Sequence, residues 1–280
     1  GAYFCTITDI KGCTSNVLIG TVLEPNELTI TLTETNVTCF GDDDGEIIAD
    51  VQGGITTSPY SYFWSSDIGV TPSGDDFIDG LAPGTYTLDV LDANNCPATN
   101  QVEITEPALL TSDIVNIDST LCFGSTDGGA EVIAIGGTEP YSYSWSNNQT
   151  GSILSNVGAG TYSCFITDFN NCSTNISVTI EEPTLVTSSI VNIDSTLCFG
   201  SNDGGAEVVA TGGTQPYSYN WSNNQTGSIL SNVGAGTYSC FITDFNNCST
   251  NISVTIEEPT ELFSSTLSVD STLCFGSTDG

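Results

Sequence analysis

Apolar and polar residues alternate with a period of two through most of this chain. The clearest run is Leu28-Thr29-Ile30-Thr31-Leu32-Thr33. That alternation sends successive side chains to opposite faces of a strand. Glu46-Ile47-Ile48-Ala49-Asp50-Val51 predicts a second strand, stopped at Gly53-Gly54. Tyr60-Ser61-Tyr62-Phe63-Trp64 predicts a third. A looser stretch leads to Gly84-Thr85-Tyr86-Thr87-Leu88-Asp89-Val90, and Gln101-Val102-Glu103-Ile104 predicts the last strand. No segment carries the 3.6-residue period of a helix. Roughly seven short strands, with turns every 8–12 residues or so, predict an antiparallel sandwich. The expected fold class is all-β, a tandem array of immunoglobulin-like antiparallel β-sandwich domains.

The pattern repeats. Cys122-Phe123-Gly124-Ser125-Thr126-Asp127-Gly128-Gly129 returns 76 residues later as Cys198-Phe199-Gly200-Ser201-Asn202-Asp203-Gly204-Gly205. A diverged copy starts at Cys39-Phe40-Gly41, and another opens at Cys274-Phe275-Gly276. Between Ile114–Pro183 and Ile190–Pro259 only five positions differ. Glu-Pro closes each unit, at Glu24-Pro25, Glu106-Pro107, Glu182-Pro183 and Glu258-Pro259. Proline ends a strand and stiffens the hinge that follows. The expected divisions are 1–25, the C-terminal hairpin of a preceding repeat; 26–107, 108–183 and 184–259, three full repeats; and 260–280, the start of a further one. On this reading the chain is an excerpt from a longer array.

Charge narrows the chemistry. There are 34 acidic residues, one Lys (Lys11), no Arg and no His, for a net charge of −33. Nucleic acid and anionic membrane surfaces are excluded as partners, since both need basic groups. Without His, no Ser-His or Cys-His pair exists, and one Lys leaves almost no Schiff-base chemistry. No enzyme is expected. Lys–Asn cross-links cannot form in units that lack Lys. No apolar run reaches the length of a membrane span.

Eleven cysteines with no Cys-x-x-Cys pair fit an oxidising, extracellular setting better than a zinc site. They fall into an opening class (Cys39, Cys122, Cys198, Cys274), a strand class (Cys5, Cys164, Cys240) and a hairpin class (Cys13, Cys96, Cys172, Cys248). If each unit is self-contained, the bridges are Cys39–Cys96, Cys122–Cys172 and Cys198–Cys248. Each then closes a loop of about 50–60 residues, worth roughly 4 kcal/mol in the loop-entropy model. Cys164 and Cys240 would be buried thiols, matching Leu88 in the first unit. The competing scheme joins Cys122 to Cys164.

Two further features have a structural and a chemical reading. Tyr141, Tyr143 and Trp145, spaced at two residues on one strand face, form either a sugar platform or a core stripe, and the core reading is favoured. Asp42, Asp43, Asp44 and Glu46 form an acidic turn that is a candidate calcium site, weighed against a solvated Asp-Gly turn. Calcium is the one candidate cofactor. Tyr162, two residues before Cys164, resembles the tyrosine corner of immunoglobulin-like domains.

The combination Cys-Phe-Gly, Asp-Gly, Gly-Gly-Thr, Pro-Tyr-Ser-Tyr and Trp-Ser, followed by Ala-Gly-Thr-Tyr, Asn-Asn-Cys and Glu-Pro, resembles the SprB repeat. That resemblance implies a large surface adhesin of gliding Bacteroidota, exported by the type IX system, displayed as a filament and lacking catalytic residues. Asp118-Ser119-Thr120, Asp194-Ser195-Thr196 and Asp270-Ser271-Thr272 resemble the O-glycosylation motif of that phylum, with Ser119, Ser195 and Ser271 as acceptors. The expected function is a structural stalk segment of such an adhesin. Its expected partners are neighbouring repeats, and extracellular surfaces or polysaccharides met through the parent protein. Strands of about ten residues give each unit a length of about 35–45 Å. The alternatives are a polysaccharide-binding module and a self-assembling filament.

Overall fold

A computed structural model describes residues 2–15, 18–55, 59–69, 76–267, 275, 276 and 278. Ala2–Cys5 (β1) pairs antiparallel with Leu18–Thr21 (β2). The first repeat contains Thr29–Thr35 (β3), Gly45–Gln52 (β4), Ser61–Ser66 (β5), Phe77–Leu81 (β6), Gly84–Leu91 (β7) and Pro97–Ile104 (β8). The second contains Thr111–Asp118 (β9), Gly128–Ile135 (β10), Ser142–Trp145 (β11), Ile153–Val157 (β12), Gly160–Thr167 (β13) and Ser173–Ile180 (β14). The third contains Thr187–Asp194 (β15), Gly204–Thr211 (β16), Ser218–Trp221 (β17), Ile229–Val233 (β18), Gly236–Thr243 (β19) and Ser249–Ile256 (β20).

Each repeat makes two three-stranded sheets. Their orders are β3-β4-β6 and β5-β7-β8 in the first, and β15-β16-β18 and β17-β19-β20 in the third. The strand pairings within these four sheets are antiparallel. The described strands number six per repeat rather than the seven expected. In the third repeat the reason is a tight turn after the Trp strand. Trp221 N–H donates to the Gln225 carbonyl at 2.9 Å, and Asn224 takes a positive φ of 68°. The Gln225 side chain then bridges to Ser231 in β18 through both its oxygen and its nitrogen. No residues are left there for an extra strand.

The core lies between the two sheets. In the first repeat Ile47, Ile78, Trp64, Tyr86, Leu88 and Ile104 form it, and Val208, Trp221, Leu230, Cys240, Ile242 and Ile256 form it in the third. The aromatic stripe is part of this core. Trp145 and Trp221 are buried, and their indole N–H groups donate to the carbonyls of Gly151 and Gly227 at 3.0 Å. Tyr141 donates to the Gly136 carbonyl at 2.7 Å, and Tyr143 accepts from Ala134 N–H. Their polar tips are thus satisfied inside the fold, as burial of an aromatic with a polar end requires. The tyrosine corner is present three times. Tyr86, Tyr162 and Tyr238 each donate to a carbonyl four residues upstream, at Ala82, Gly158 and Gly234. Cys164 and Cys240 are fully buried thiols whose ionisation burial pushes up, and Leu88 fills the same place in the first repeat.

Cα packing divides the chain into two compact units. One comprises residues 1–113, 133–144 and 164–176, and the other residues 114–132, 145–163 and 177–280. The division runs through the second repeat rather than along the Glu-Pro boundaries, for a reason that lies in its two ends.

Candidate functional site

The first repeat has an opening end and a hairpin end, one strand length apart. In the first repeat, Val37 N–H donates to the Thr105 carbonyl, so the end of β8 meets the opening turn that carries Cys39. At the other end of β8 lies the β7–β8 turn carrying Cys96. Eight residues at about 3.4 Å each separate the two ends by roughly 27 Å.

The opening turn is held by carboxylates. Asp44 accepts from both the backbone N–H and the hydroxyl of Thr38. Asp127 and Asp203 accept from the hydroxyls of Ser125 and Ser201 and from the N–H groups of Leu121 and Leu197. The glutamate of each Glu-Pro closes the turn from behind. Glu106, Glu182 and Glu258 accept from Gly41, Gly124 and Gly200 N–H at 2.8, 2.7 and 2.9 Å.

The hairpin turn is built on a buried aspartate. Asp168 accepts from Asn170 N–H and Cys172 N–H at 2.9 Å each, and from Thr138 N–H at 2.8 Å. Asp92 and Asp244 do the same in the other repeats. The carboxylate leaves no room at the second glycine of the Gly-Gly pair. A Cβ at Gly137 would lie 2.7 Å from Asp168 Oδ2, and its φ of 62° excludes most side chains as well. The double glycine is therefore a seat for the aspartate as well as a strand stop.

The disulfides join one repeat to the next. Cys39 bonds to Cys172 across a sequence separation of 133, and Cys122 bonds to Cys248 across 126. In each, the opening cysteine of one repeat meets the hairpin cysteine of the following repeat. The expected bridges Cys39–Cys96, Cys122–Cys172 and Cys198–Cys248 do not form: Cys39, Cys122, Cys172 and Cys248 are taken by the two bridges above, and in the first repeat Cys39 and Cys96 sit at opposite ends. A disulfide needs Cα atoms about 4.4–6.8 Å apart. The alternative partner Cys164 is buried within a central strand and faces the core. Cys96 and Cys198 are free and exposed.

A hydrogen bond accompanies each bridge. The Asn170 amide donates to the Thr38 carbonyl at 2.9 Å, and the Asn246 amide donates to the Leu121 carbonyl at 3.1 Å. Because the acceptor is a backbone carbonyl, the change from Thr38 to Leu121 does not disturb the joint. These bridges also account for the compact units. The hairpin end of the second repeat belongs with the first repeat, and its opening end belongs with the third.

Asp42, Asp43, Asp44 and Glu46 are not gathered into a cation site. Among the described residues no group of three or more acidic or cysteine side chains is arranged to hold a metal. Asp44 is turned to Thr38 instead, as a cap. Ser119 and Ser195 are exposed, each followed by a buried threonine, and Ser271 lies outside the described residues. The roles of Asp168, Glu182 and Asn170 are not marked by the alternation. The recurring Asp-x-Asn-Asn-Cys was the signal for two of them.

The caps set a pH dependence. The Thr38, Ser125 and Ser201 hydroxyls hold Asp44, Asp127 and Asp203 below the usual carboxylate range, and the N–H groups of Cys96 and Ile55 do so for Asp92. A carboxylate lowered in the folded state contributes stability above its unfolded value near 3.8, and that contribution is lost as the pH falls through the folded value. Relief of self-repulsion acts in the opposite sense as the pH drops from 7. Melting temperature is therefore expected to hold or rise from pH 7 to about 4.5 and to fall below about 4. A curve that keeps rising to pH 2 in calorimetry would show the caps to be unimportant.

Three segments match the model of the SprB repeat, at residues 31–67, 114–150 and 190–226. Each contains the opening cysteine and the Trp strand. No curated protein matches the chain in sequence. Among solved structures, immunoglobulin domains 1–5 of Sidekick-1 match with a TM-score of 0.39 and 12% identity, covering 92% of this chain and 66% of that one. The tetra-tandem repeat in the extending region of a large adhesion protein matches at 0.29 and 12%, covering 92% and 81%. A C-terminal fragment of intimin, in complex with the intimin-binding domain of its translocated receptor, matches at 0.33 and 14%, covering 60% and 69%. Matches at that level say nothing about partners. The repeats point to a repetitive surface-adhesin segment and an extracellular location, which the two disulfides fit. The chain is built around three tandem SprB repeats.

Proposed function

We propose that this chain is a stalk segment of a large extracellular adhesin filament, serving surface adhesion or gliding, with no catalytic role. The observation that carries this is the pair of inter-repeat bridges. A module built to bind one ligand needs no covalent link to its neighbour. A stalk under load does. In the first and third repeats the chain enters at the hairpin end and leaves at the opening end. Mechanism here is reach and resistance to stretching. Ser119 and Ser195 are accessible for the proposed O-glycosylation.

Sedimentation velocity of the oxidised chain, with its free thiols alkylated, tests the stalk. The expected result is an elongated monomer at all concentrations. Reversible lateral association would favour a self-assembling filament instead. The tryptophans are buried, so a polysaccharide-binding reading rests on exposed phenylalanine rings, such as those of Phe169 and Phe245 at the hairpin turns. Binding on a glycan array that is lost in the Phe169→Ala, Phe245→Ala variant would establish it.

A further inference from the structure

The bridge joins two halves that are each complete before they meet. At Cys122, which is bonded, Cys122 N–H donates to Ser125 Oγ at 3.2 Å, and Gly124 N–H donates to Glu182. At Cys198, which is free, Cys198 N–H donates to Ser201 Oγ at 3.3 Å, and Gly200 N–H donates to Glu258. The same match holds for the hairpin half. Asp92 holds Asn94 N–H and Cys96 N–H at 2.9 and 2.8 Å, as Asp168 holds Asn170 N–H and Cys172 N–H. Asn95, Asn171 and Asn247 share a positive φ of 61–67°. Both free cysteines therefore sit in the conformation of the bonded ones. What differs is cover: Leu121 is 53% exposed beneath its hairpin, and Leu197 is 83% exposed without one. The ledge at Leu197–Cys198 is bordered by Thr260 and Leu262, in the places of Thr184 and Val186 at the occupied joint.

We infer that Leu197–Cys198 is a docking ledge for the Asp-x-Asn-x-Cys hairpin of a further repeat of this kind, and that Asp92–Cys96 is the complementary plug. A second copy of this chain carries that plug and stands in for the further repeat. In the joint, Asn94 donates to the Leu197 carbonyl and Cys96 bonds to Cys198. The chemistry is thiol–disulfide exchange: two thiols and one small disulfide, such as oxidised glutathione, give the protein disulfide and two reduced glutathiones. The protein sulfurs are oxidised, the reagent is reduced, and the two thiol protons pass to the glutathione thiolates. Asp92 beside Cys96 raises that thiol above its ordinary range, so the reaction quickens with pH. Both faces are acidic, so joining also quickens with added salt.

The test uses the full chain carrying Cys5→Ser, Cys13→Ser and Cys274→Ser, incubated with a glutathione redox buffer and run on a non-reducing gel. The expected result is a ladder of head-to-tail multimers whose digest contains a Cys96–Cys198 peptide. Adding Cys96→Ser or Cys198→Ser should lower the yield of multimers at least tenfold, with unchanged melting curves. Asn94→Ala, a positioning change, should slow joining about fivefold, as expected for one lost hydrogen bond. Monomer alone, a Cys96–Cys198 bond closed within one chain, or Cys198–Cys198 and Cys96–Cys96 pairs in equal yield would each overturn the assignment. So would an Asn94→Ala rate equal to that of the unmodified hairpin.

Discussion

Asp244→Ala is expected to destabilise the third repeat by about 3–5 kcal/mol, the largest effect of any single side chain outside the apolar core. The carboxylate is 5% exposed, yet it accepts three backbone hydrogen bonds, from Thr214, Asn246 and Cys248 N–H. Truncation leaves three donors without an acceptor, in a site too closed for water to replace them all. Each such group costs about 1–3 kcal/mol. Asp244→Asn separates charge from geometry. The amide keeps an oxygen for Asn246 and Cys248 but turns its NH2 toward the Thr214 N–H, donor against donor. Most of the loss should therefore persist in the amide variant. Trp221 is the third repeat's only tryptophan, so its fluorescence in urea, with Trp64 and Trp145 changed to Phe, follows this repeat alone. A loss below about 1 kcal/mol in both variants would show that the turn holds without its aspartate. A second readout is the joint. With its hairpin loosened, the variant should form the Cys122–Cys248 bond more slowly during oxidative refolding.

This aspartate marks where the sequence is readable and where it is not. Alternation at Leu28–Thr33 and Glu46–Val51 identifies strands because one face of each is buried, and a period of two leaves that trace in any sequence. Trp145 and Tyr162 are legible for a similar reason: a large aromatic at a fixed place in a sandwich has few alternatives to the core. The acidic turn is ambiguous in sequence, because a cap and a cation ligand use the same carboxylate. Only the direction of Asp44, toward Thr38, separates them. The cysteine pairing is hidden more deeply. The hairpin cysteines Cys96 and Cys172 occupy equivalent places in successive repeats, so nothing local says which of them meets Cys39. The deciding fact is that β8 carries the chain from the hairpin end to the opening end. Eight residues of strand stand between Cys96 and the level of Cys39. Assuming self-contained bridges ignores that length. The bridges tie each end of the second repeat to a different neighbour.

That arrangement has a mechanical consequence, and the second large effect is expected under force. Stretched by its termini, the oxidised chain should fall short of the reduced chain's full length by at least roughly 450 Å, the contour of about 130 residues at 3.3–3.6 Å each. The Cys39–Cys172 bridge short-circuits a separation of 133 residues. The Cys122–Cys248 loop overlaps it, because Cys122 lies inside the first loop and Cys172 inside the second. With both closed, the stretches 39–122, 122–172 and 172–248 run in parallel between the two bridges, and the shortest, 122–172, carries the tension; with either bridge alone it lies inside the closed loop, off the loaded path. The loops also act on the unfolded state. A closed loop of this size removes entropy worth about 5 kcal/mol in the chain-entropy model, shared between the two bridges because they overlap. Single-molecule stretching with and without reductant measures the first effect, and urea unfolding of the same samples measures the second. Cys39→Ser should release less contour than full reduction, since the second loop remains closed. Equal contour lengths with and without reductant would show that the bridges do not bear load, and the stalk reading would lose its main support. A stalk of unlinked sandwiches yields one domain at a time, each unfolded repeat lengthening the tether. A stalk stapled across every joint instead passes tension from an opening turn into the next repeat's hairpin, and across a repeat held by two bridges through the stretch between its own two cysteines, 122–172 in the second.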